Sequence, residues 1–400
     1  MLTSLSIIFL VGLSMAAICE KFCLPRIIGM LFTGIVLGPY VLNLLDPTIL
    51  NISSELRQIA LIIILIKAGL SLDLSDLRKV GKPAVLMSFL PASFEILTYV
   101  FFAPILLKVT YIEAAIMGAV LSAVSPAVVI PKMIQLMDQK YGTSKSIPQL
   151  IMAAASCDDI FVIVLFSTFL DMTKGGDINI KSFYNIPLSI IIGIIIGAIV
   201  GYGLSVFFET AYANKHFIRN SMKTIIVLAT AFLLISIESW IRPYLPMSGI
   251  IALVSMASMI KIKGNNFVSM RLSEKFGKLW VAAEVILFVL VGASVNINYT
   301  LNAGFTSIGI IFIALIFRAF GVMVCLIKTQ LTNKERLFCV IAYLPKATVQ
   351  AAIGSIPLSM GLSCGQIVLS VSVLGIIITA PLGALGIDLT YKKLLSLENQ

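Results

Sequence analysis

The chain has 400 residues, 59% hydrophobic and only 12% charged, with a formal net charge of +10. A soluble domain carries about 25% charged residues, so this composition excludes a water-soluble globule of this size. The chain reads as an all-α polytopic membrane protein of about 13 transmembrane helices with short loops.

The apolar runs predict spans over 2–19, 25–43, 55–71, 83–107, 111–131, 147–171, 186–208, 221–241, 244–260, 277–295, 303–327, 335–359 and 364–387. The first run lacks the basic start and small-residue cleavage site of a signal peptide, so it is read as a span. No export signal, organelle address or lipid anchor is expected. The six cysteines, Cys19, Cys23, Cys157, Cys325, Cys339 and Cys364, show no framework spacing and read as reduced packing residues. His216, the single histidine, stands among Asn214, Lys215 and Arg219 and reads as a solvated loop residue. An odd number of spans puts the termini on opposite sides. Basic loop residues divide 21 against 5 between the two sides. By the positive-inside rule the N-terminus is outside and the C-terminus cytoplasmic, in a plasma or inner membrane. The net positive charge is therefore an orientation signal, and no nucleic-acid partner is expected.

The chain repeats at an offset near 220. Leu24-Pro25 in the second span matches Leu245-Pro246 in the ninth. Ala68 to Asp73 in the third matches Val291 to Asn296 in the tenth. Glu95 in the fourth falls on Arg318 in the eleventh, and Pro126 in the fifth on Pro345 in the twelfth. Partners lie seven spans apart, so the second unit runs in the opposite direction. This is the inverted-topology repeat of secondary transporters, with the seventh span as connector. That span carries Gly193, Gly197 and Gly201, either a close-packing face or a simple crowd of small residues.

Seven ionisable residues lie at membrane depth: Lys67, Glu95, Asp158, Asp159, Glu284, Arg318 and Lys346. Each costs at least about 2.5–3.5 kcal/mol near a helix centre, so they must be paired, hydrated or functional. They sum to −1, which leaves room for one monovalent cation or one proton. Asp158 and Asp159 are consecutive and point about 100° apart on a helix. One of them can pair with a cation of the protein while the other faces a water-filled cavity; the alternative is that both sit in fixed ion pairs. Pro126 and Pro345 each remove a backbone hydrogen bond within a span. The freed carbonyls are candidate cation ligands, beside the hydroxyls of Ser125 and Thr348. A lone proline makes a plain kink; two at symmetric positions, one followed by Lys346, point to paired helix breaks. Glu95 and Arg318 are expected to pair or to share Asp158, as a brace or as part of transport. Lys67 and Glu284 lie nearer helix ends, within snorkelling reach of the interface.

The strings IALIIILIKAGLSLDL (59–74), AVLSAVSPAVVIPK (119–132), AAASCDDIF (153–161), LFVLVGASV (287–295) and YLPKATVQAAIG (343–354) resemble the monovalent cation/proton antiporter superfamily, and within it the NHA-type sodium/proton exchangers. Lys67 stands where such a string has arginine. The resemblance implies a homodimer of thirteen-helix protomers with two broken crossing helices. It implies dimer or scaffold helices over 1–82 and 221–302 and a mobile core over 83–171 and 303–390. The connector then occupies 172–220, and a short cytoplasmic tail 391–400. It also implies that Asp159 binds the ion and that Asp158 is its partner acid, held by Lys346 or Arg318. The chain shows no long terminal extension of the kind many animal members carry, so regulation through one is not expected.

These readings converge on a secondary antiporter rather than an enzyme. A proton and Na+ or Li+ compete for Asp158 and Asp159, and no cofactor is needed beyond the transported ions. The rival readings are a K+/H+ antiporter on the same fold and a sodium-coupled organic-solute symporter.

Overall fold

The computed structural model describes residues 1–22, 24–71, 81–174, 180–213, 218–241 and 247–397. Cys23, His216 and the Leu245-Pro246 opening of the ninth span lie outside the described residues, as do Asp73, Arg78, Lys79, Lys215 and Arg242. The chain runs through α1 (Leu2–Lys21), α2 (Arg26–Leu37), α3 (Pro47–Asn51) and α4 (Ser53–Ser71). Next come α5 (Lys82–Met87), α6 (Leu90–Leu107), α7 (Tyr111–Leu121), α8 (Pro126–Asp138) and α9 (Ile147–Lys174). Then follow α10 (Ile180–Ala213), α11 (Asn220–Ile241), α12 (Gly249–Lys263) and α13 (Asn266–Ala293). The last are α14 (Ile297–Leu326), α15 (Asn333–Ala342), α16 (Thr348–Ile353), α17 (Ile356–Ser359) and α18 (Gly365–Leu394).

Among the described residues, nine helical stretches are long and apolar enough to cross a membrane. The other four expected spans are also helical. The second, α2, has 12 residues; the third, α4, carries Glu55, Arg57 and Lys67; the ninth, α12, has 15 residues; the twelfth is divided into α15, α16 and α17. The short α3 was not among the expected elements. Asp46 caps it by accepting the Thr48 N–H at 2.8 Å, ahead of Pro47. The Thr48 hydroxyl and N–H hold the Asp46 carboxyl down at about 2, so this cap stays ionised across the physiological range.

The helices group into two compact units: Met1–Arg57, Asp73–Phe169 and Val285–Gln400 form one, Gln58–Leu72 and Leu170–Glu284 the other. In the first unit Gly34 of α2 lies against the Val289 backbone, and Gly292 against that of Leu31, so neither position has space for a Cβ. Helix α6 packs on α14 with Phe94 edge-on to Phe320 at 5.5 Å. Gly118 of α7 fits against Ile96 and Tyr99 of α6. An apolar cluster that includes Val129, Met133, Ile151, Ala154, Phe338 and Tyr343 fills the space beside the two helix breaks described below. The end of α18 is tied to the turn after α8. The Gly142 N–H donates to Ser396 O at 2.9 Å, and the Tyr141 and Tyr391 rings meet edge-on at 5.0 Å.

In the second unit, Gly193, Gly197 and Gly201 of α10 press against the backbones of Ser248, Ala252 and Met256, which resolves the glycine row as a close-packing face. A methyl group at Gly197 would collide with the Ala252 carbonyl. Gly197→Val is therefore expected to destabilise the protein by about 1–3 kcal/mol. A melting temperature in detergent close to that of the unmodified protein would contradict this packing.

The repeat also appears in the caps. Helix α7 opens on a capping box of Thr110 and Glu113, and α15 opens on one of Thr332 and Glu335. In each, threonine accepts the glutamate N–H while the glutamate carboxylate accepts the threonine N–H.

Candidate functional site

The fifth and twelfth spans are interrupted at matching places. Helix α7 stops at Leu121 and α8 starts at Pro126; α15 stops at Ala342 and α16 starts at Thr348. The placement of Pro126 differs from expectation. It does not break a helical hydrogen bond, because it is the first residue of α8, where the N–H has no helical acceptor. The backbone leaves helical geometry over 122–125, ahead of it. Pro345 lies within its non-helical stretch, and Gly383 of α18 leaves no space for a Cβ above the proline ring.

The two interruptions cross. The Ser125 N–H donates to Pro345 O at 2.7 Å, and Ser125 Oγ lies 3.5 Å from Thr348 Oγ1. The Lys346 N–H donates to Thr379 Oγ1 of α18 at 3.0 Å.

A buried charge cluster surrounds this crossing. Arg318 of α14 donates through Nε to Tyr343 O at 2.8 Å, and through Nη1 to Glu95 Oε2 at 2.9 Å and to Ser122 O. Its Nη2 lies 3.2 Å from Asp158 Oδ2, and its guanidinium stacks 5.2 Å from the Tyr343 ring centre. Lys346 Nζ straddles the other acid, at 2.7 Å from Glu95 Oε1 and 2.8 Å from Oε2. Lys346 Nζ also donates to Leu121 O. Glu95 and Arg318 thus pair across the repeat, and Arg318 rather than Lys346 holds Asp158.

The freed carbonyls are met first by the protein itself. Those of Leu121, Ser122 and Ala123 follow one another at the end of α7. They accept from Lys346, Arg318 and Gln350 respectively, with Gln350 Nε2 at 2.9 Å from Ala123 O. Two cations at a helix C-terminus also suit its negative end.

The acid pair of α9 divides in role. Asp158 is fully buried, and its Oδ2 accepts the Val124 N–H at 2.8 Å besides Arg318. Asp159 is 8% exposed, and among the described residues no protein cation pairs with it. Asp158 Oδ1, Asp159 Oδ1 and Gln350 Oε1 are each buried without a hydrogen-bond partner among the described residues. Such groups are uncommon in folded proteins. The cluster holds three acids, Glu95, Asp158 and Asp159, against two bases, Arg318 and Lys346. Both bases are engaged by Glu95 and Asp158, which leaves Asp159 as the acid of the cluster without a protein cation among the described residues.

The remaining membrane-depth charges lie in the other unit. Lys67 Nζ sits 6.0 Å from the Trp280 ring centre and attracts Glu284 electrostatically. Arg57, counted in the sequence among loop residues, is instead a buried residue of α4 whose Nη1 donates to Ser294 Oγ at 2.7 Å. The sequence reading gave no role to Gln350 or Thr379. Gln350 lies in the quoted string YLPKATVQAAIG, and its one signal was a polar amide in an otherwise apolar half-helix.

Residues 5–393 match the family described as sodium/hydrogen exchanger, transmembrane. The sodium/hydrogen exchanger 9B2 of Homo sapiens is 34% identical over 385 residues, which cover 93% of this chain and 70% of that protein. The sodium/hydrogen exchanger 9B1 of Homo sapiens is 32% identical over 389 residues, covering 93% and 73%. Among solved structures, the sodium proton antiporter MjNhaP1 from Methanocaldococcus jannaschii at pH 8 superposes with a TM-score of 0.82 at 20% identity, over 98% of each chain. That likeness is one of fold.

Proposed function

The chain belongs to the sodium/hydrogen exchanger family, and from that premise we propose that it exchanges Na+ or Li+ for H+ at Asp158 and Asp159 by elevator-like alternating access. The observation that carries the reading is the unmatched carboxylate: Asp159 has a buried oxygen without a partner beside an Asp158 already engaged by Arg318 and the Val124 N–H. One site of one negative charge takes one proton or one monovalent cation, so the two compete. The empty, charged core crosses poorly, because a bare carboxylate in a low-dielectric interior is unfavourable by many kcal/mol. The loaded core is neutral at Asp159 and crosses readily. That difference couples the two fluxes, and an inward proton gradient then drives sodium out.

In this proposal the fourth to sixth and eleventh to thirteenth spans form the moving core. The remaining spans, apart from the seventh, form a scaffold through which two copies pair. The N-terminus faces outside and the C-terminus the cytoplasm, in keeping with the division of basic residues between the two sides, 21 to 5 as counted from the sequence and 21 to 4 with the buried Arg57 set aside.

The test is exchange in proteoliposomes with an internal pH dye and Na+, Li+ or K+ supplied in turn. Na+ and Li+ are expected to move protons. The apparent KM for Na+ is expected to rise as pH falls, towards about one decade per pH unit where one proton displaces one cation. Proton movement with K+ alone would overturn the proposed selectivity, and an apparent KM independent of pH would overturn competition.

A further inference from the structure

We propose that Gln350 is a positioning residue for exchange, its carboxamide holding the Ala123–Val124 peptide so that the Val124 N–H stays aimed at Asp158. This inference rests on the proposed Asp158/Asp159 site and adds a residue to it.

Gln350 sits on α16 and is fully buried. Its Nε2 donates to Ala123 O at 2.9 Å and reaches Leu121 O at 3.4 Å. The Ala123 carbonyl and the Val124 N–H are the two ends of one planar peptide unit. Fixing the carbonyl fixes the N–H, which points the opposite way and donates to Asp158 Oδ2 at 2.8 Å. Gln350, the peptide and Asp158 therefore form two hydrogen bonds in series, and bonds in series polarise one another.

Asp158 depends on this arrangement more than its ion pair suggests. Its Oδ1 has no partner among the described residues, so Oδ2 carries the hold. Of the two donors to Oδ2, Arg318 Nη2 is the more distant, at 3.2 Å. Arg318 is also shared with Glu95, Ser122 O and Tyr343 O. The Val124 N–H is the near donor, and 122–125 is non-helical backbone that needs an outside anchor to keep one orientation. The carbonyls of Leu121 and Ser122 take charged donors, whereas Ala123 takes a neutral one. An amide anchors this peptide at every pH without adding a charge beside the acids. The charged and titratable groups facing Asp158 are Arg318, Lys346, Tyr343, Cys157 and Asp159, with Glu95 acting through Arg318.

The experiment uses the full chain in proteoliposomes and compares Gln350→Leu, Gln350→Glu and, as reference, Asp159→Asn. Gln350→Leu keeps the volume and removes the donor. It is expected to raise the Na+ KM about three- to tenfold, the effect of one weakened hydrogen bond to a charged group. A carboxylate with a weakened N–H donor keeps its proton more tightly, so half-maximal exchange is expected to move up by about half to one pH unit. Gln350→Glu donates to Ala123 O only when protonated. It is expected to follow the unmodified protein at low pH and to lose sodium affinity as pH rises. Wild-type KM and pH midpoint in both variants would overturn the proposal, even with a lowered melting temperature, because Gln350 would then only cap α7. If Gln350→Leu does not fold, the pH dependence of Gln350→Glu decides alone. Normal exchange by Asp159→Asn would defeat the site itself. Loss of exchange there, with an unaltered Gln350→Leu, would defeat only the role given to Gln350.

Discussion

Replacing Asp159 by asparagine is expected to lower exchange by at least about 100-fold while leaving insertion and folding intact. Asparagine keeps the size of the side chain and removes both the charge and the titratable proton, so neither substrate has its ligand. Exchange and stability part company because of how the cluster is paired. Arg318 and Lys346 are engaged by Asp158 and Glu95, and among the described residues Asp159 has no protein cation. Removing an unmatched buried charge relieves desolvation rather than stranding a partner. The melting temperature in sodium-free detergent is therefore expected to stay level or rise. The stabilisation that added Na+ gives a folded protein that binds it, about 2.7 kcal/mol at a hundredfold excess over Kd, is expected to vanish. Proton movement by Asp159→Asn at the unmodified rate would refute the proposed site, and so would retained stabilisation by sodium. Asp158→Asn separates the two acids. It leaves part of Arg318 without its acid, and so it is expected to lower stability where Asp159→Asn does not.

The acids and bases of this site were legible in the sequence because each one conflicts with the bilayer. A charge among twenty apolar residues stands out, and the offset of 223 that relates Glu95 to Arg318 is the separation of an actual ion pair. The adjacency of Asp158 and Asp159 also carried geometry, since neighbouring helical positions must face different surroundings. Three things were hidden. Pro126 looks the same in sequence whether it interrupts a helix or begins one, and only the backbone shows that it begins α8. Freed carbonyls were expected at the breaks, but that Lys346, Arg318 and Gln350 meet those of Leu121, Ser122 and Ala123 depends on helices far apart in sequence. Gln350 has a neutral side chain, with too low an insertion cost to stand out beside Lys346. Arg57 was misplaced for a related reason. A charge near the end of a span reads as a loop residue, and its burial against Ser294 depends on a helix 237 residues away.

Replacing Arg318 by methionine is expected to be the most destabilising single change in the cluster, at about 3–5 kcal/mol. Arg318 touches both interrupted helices and both acid-bearing helices. Its Nε holds Tyr343 O at the end of α15, Nη1 holds Ser122 O beyond α7 and Glu95 of α6, and Nη2 holds Asp158 of α9. Methionine fills the space and supplies none of these donors. It leaves Asp158 with the Val124 N–H, Glu95 with Lys346, and two buried carbonyls in need of new partners. Each of those losses is unfavourable in a low-dielectric interior. Lysine in the same place keeps the charge, but a single ammonium cannot reproduce a planar fork aimed at four acceptors. Arg318→Lys is therefore expected to fall between the two, with stability recovered in part and exchange still impaired. Adding Asp158→Asn to Arg318→Met removes the acid that has lost its cation and is expected to regain part of the lost stability, a non-additivity that a passive brace would not show. Melting curves of the single and double variants in detergent measure this directly. A melting temperature for Arg318→Met within a few degrees of the unmodified protein would mean that the crossing is held by the Ser125 and Pro345 backbones and the apolar cluster beside them. The buried charges would then serve exchange alone.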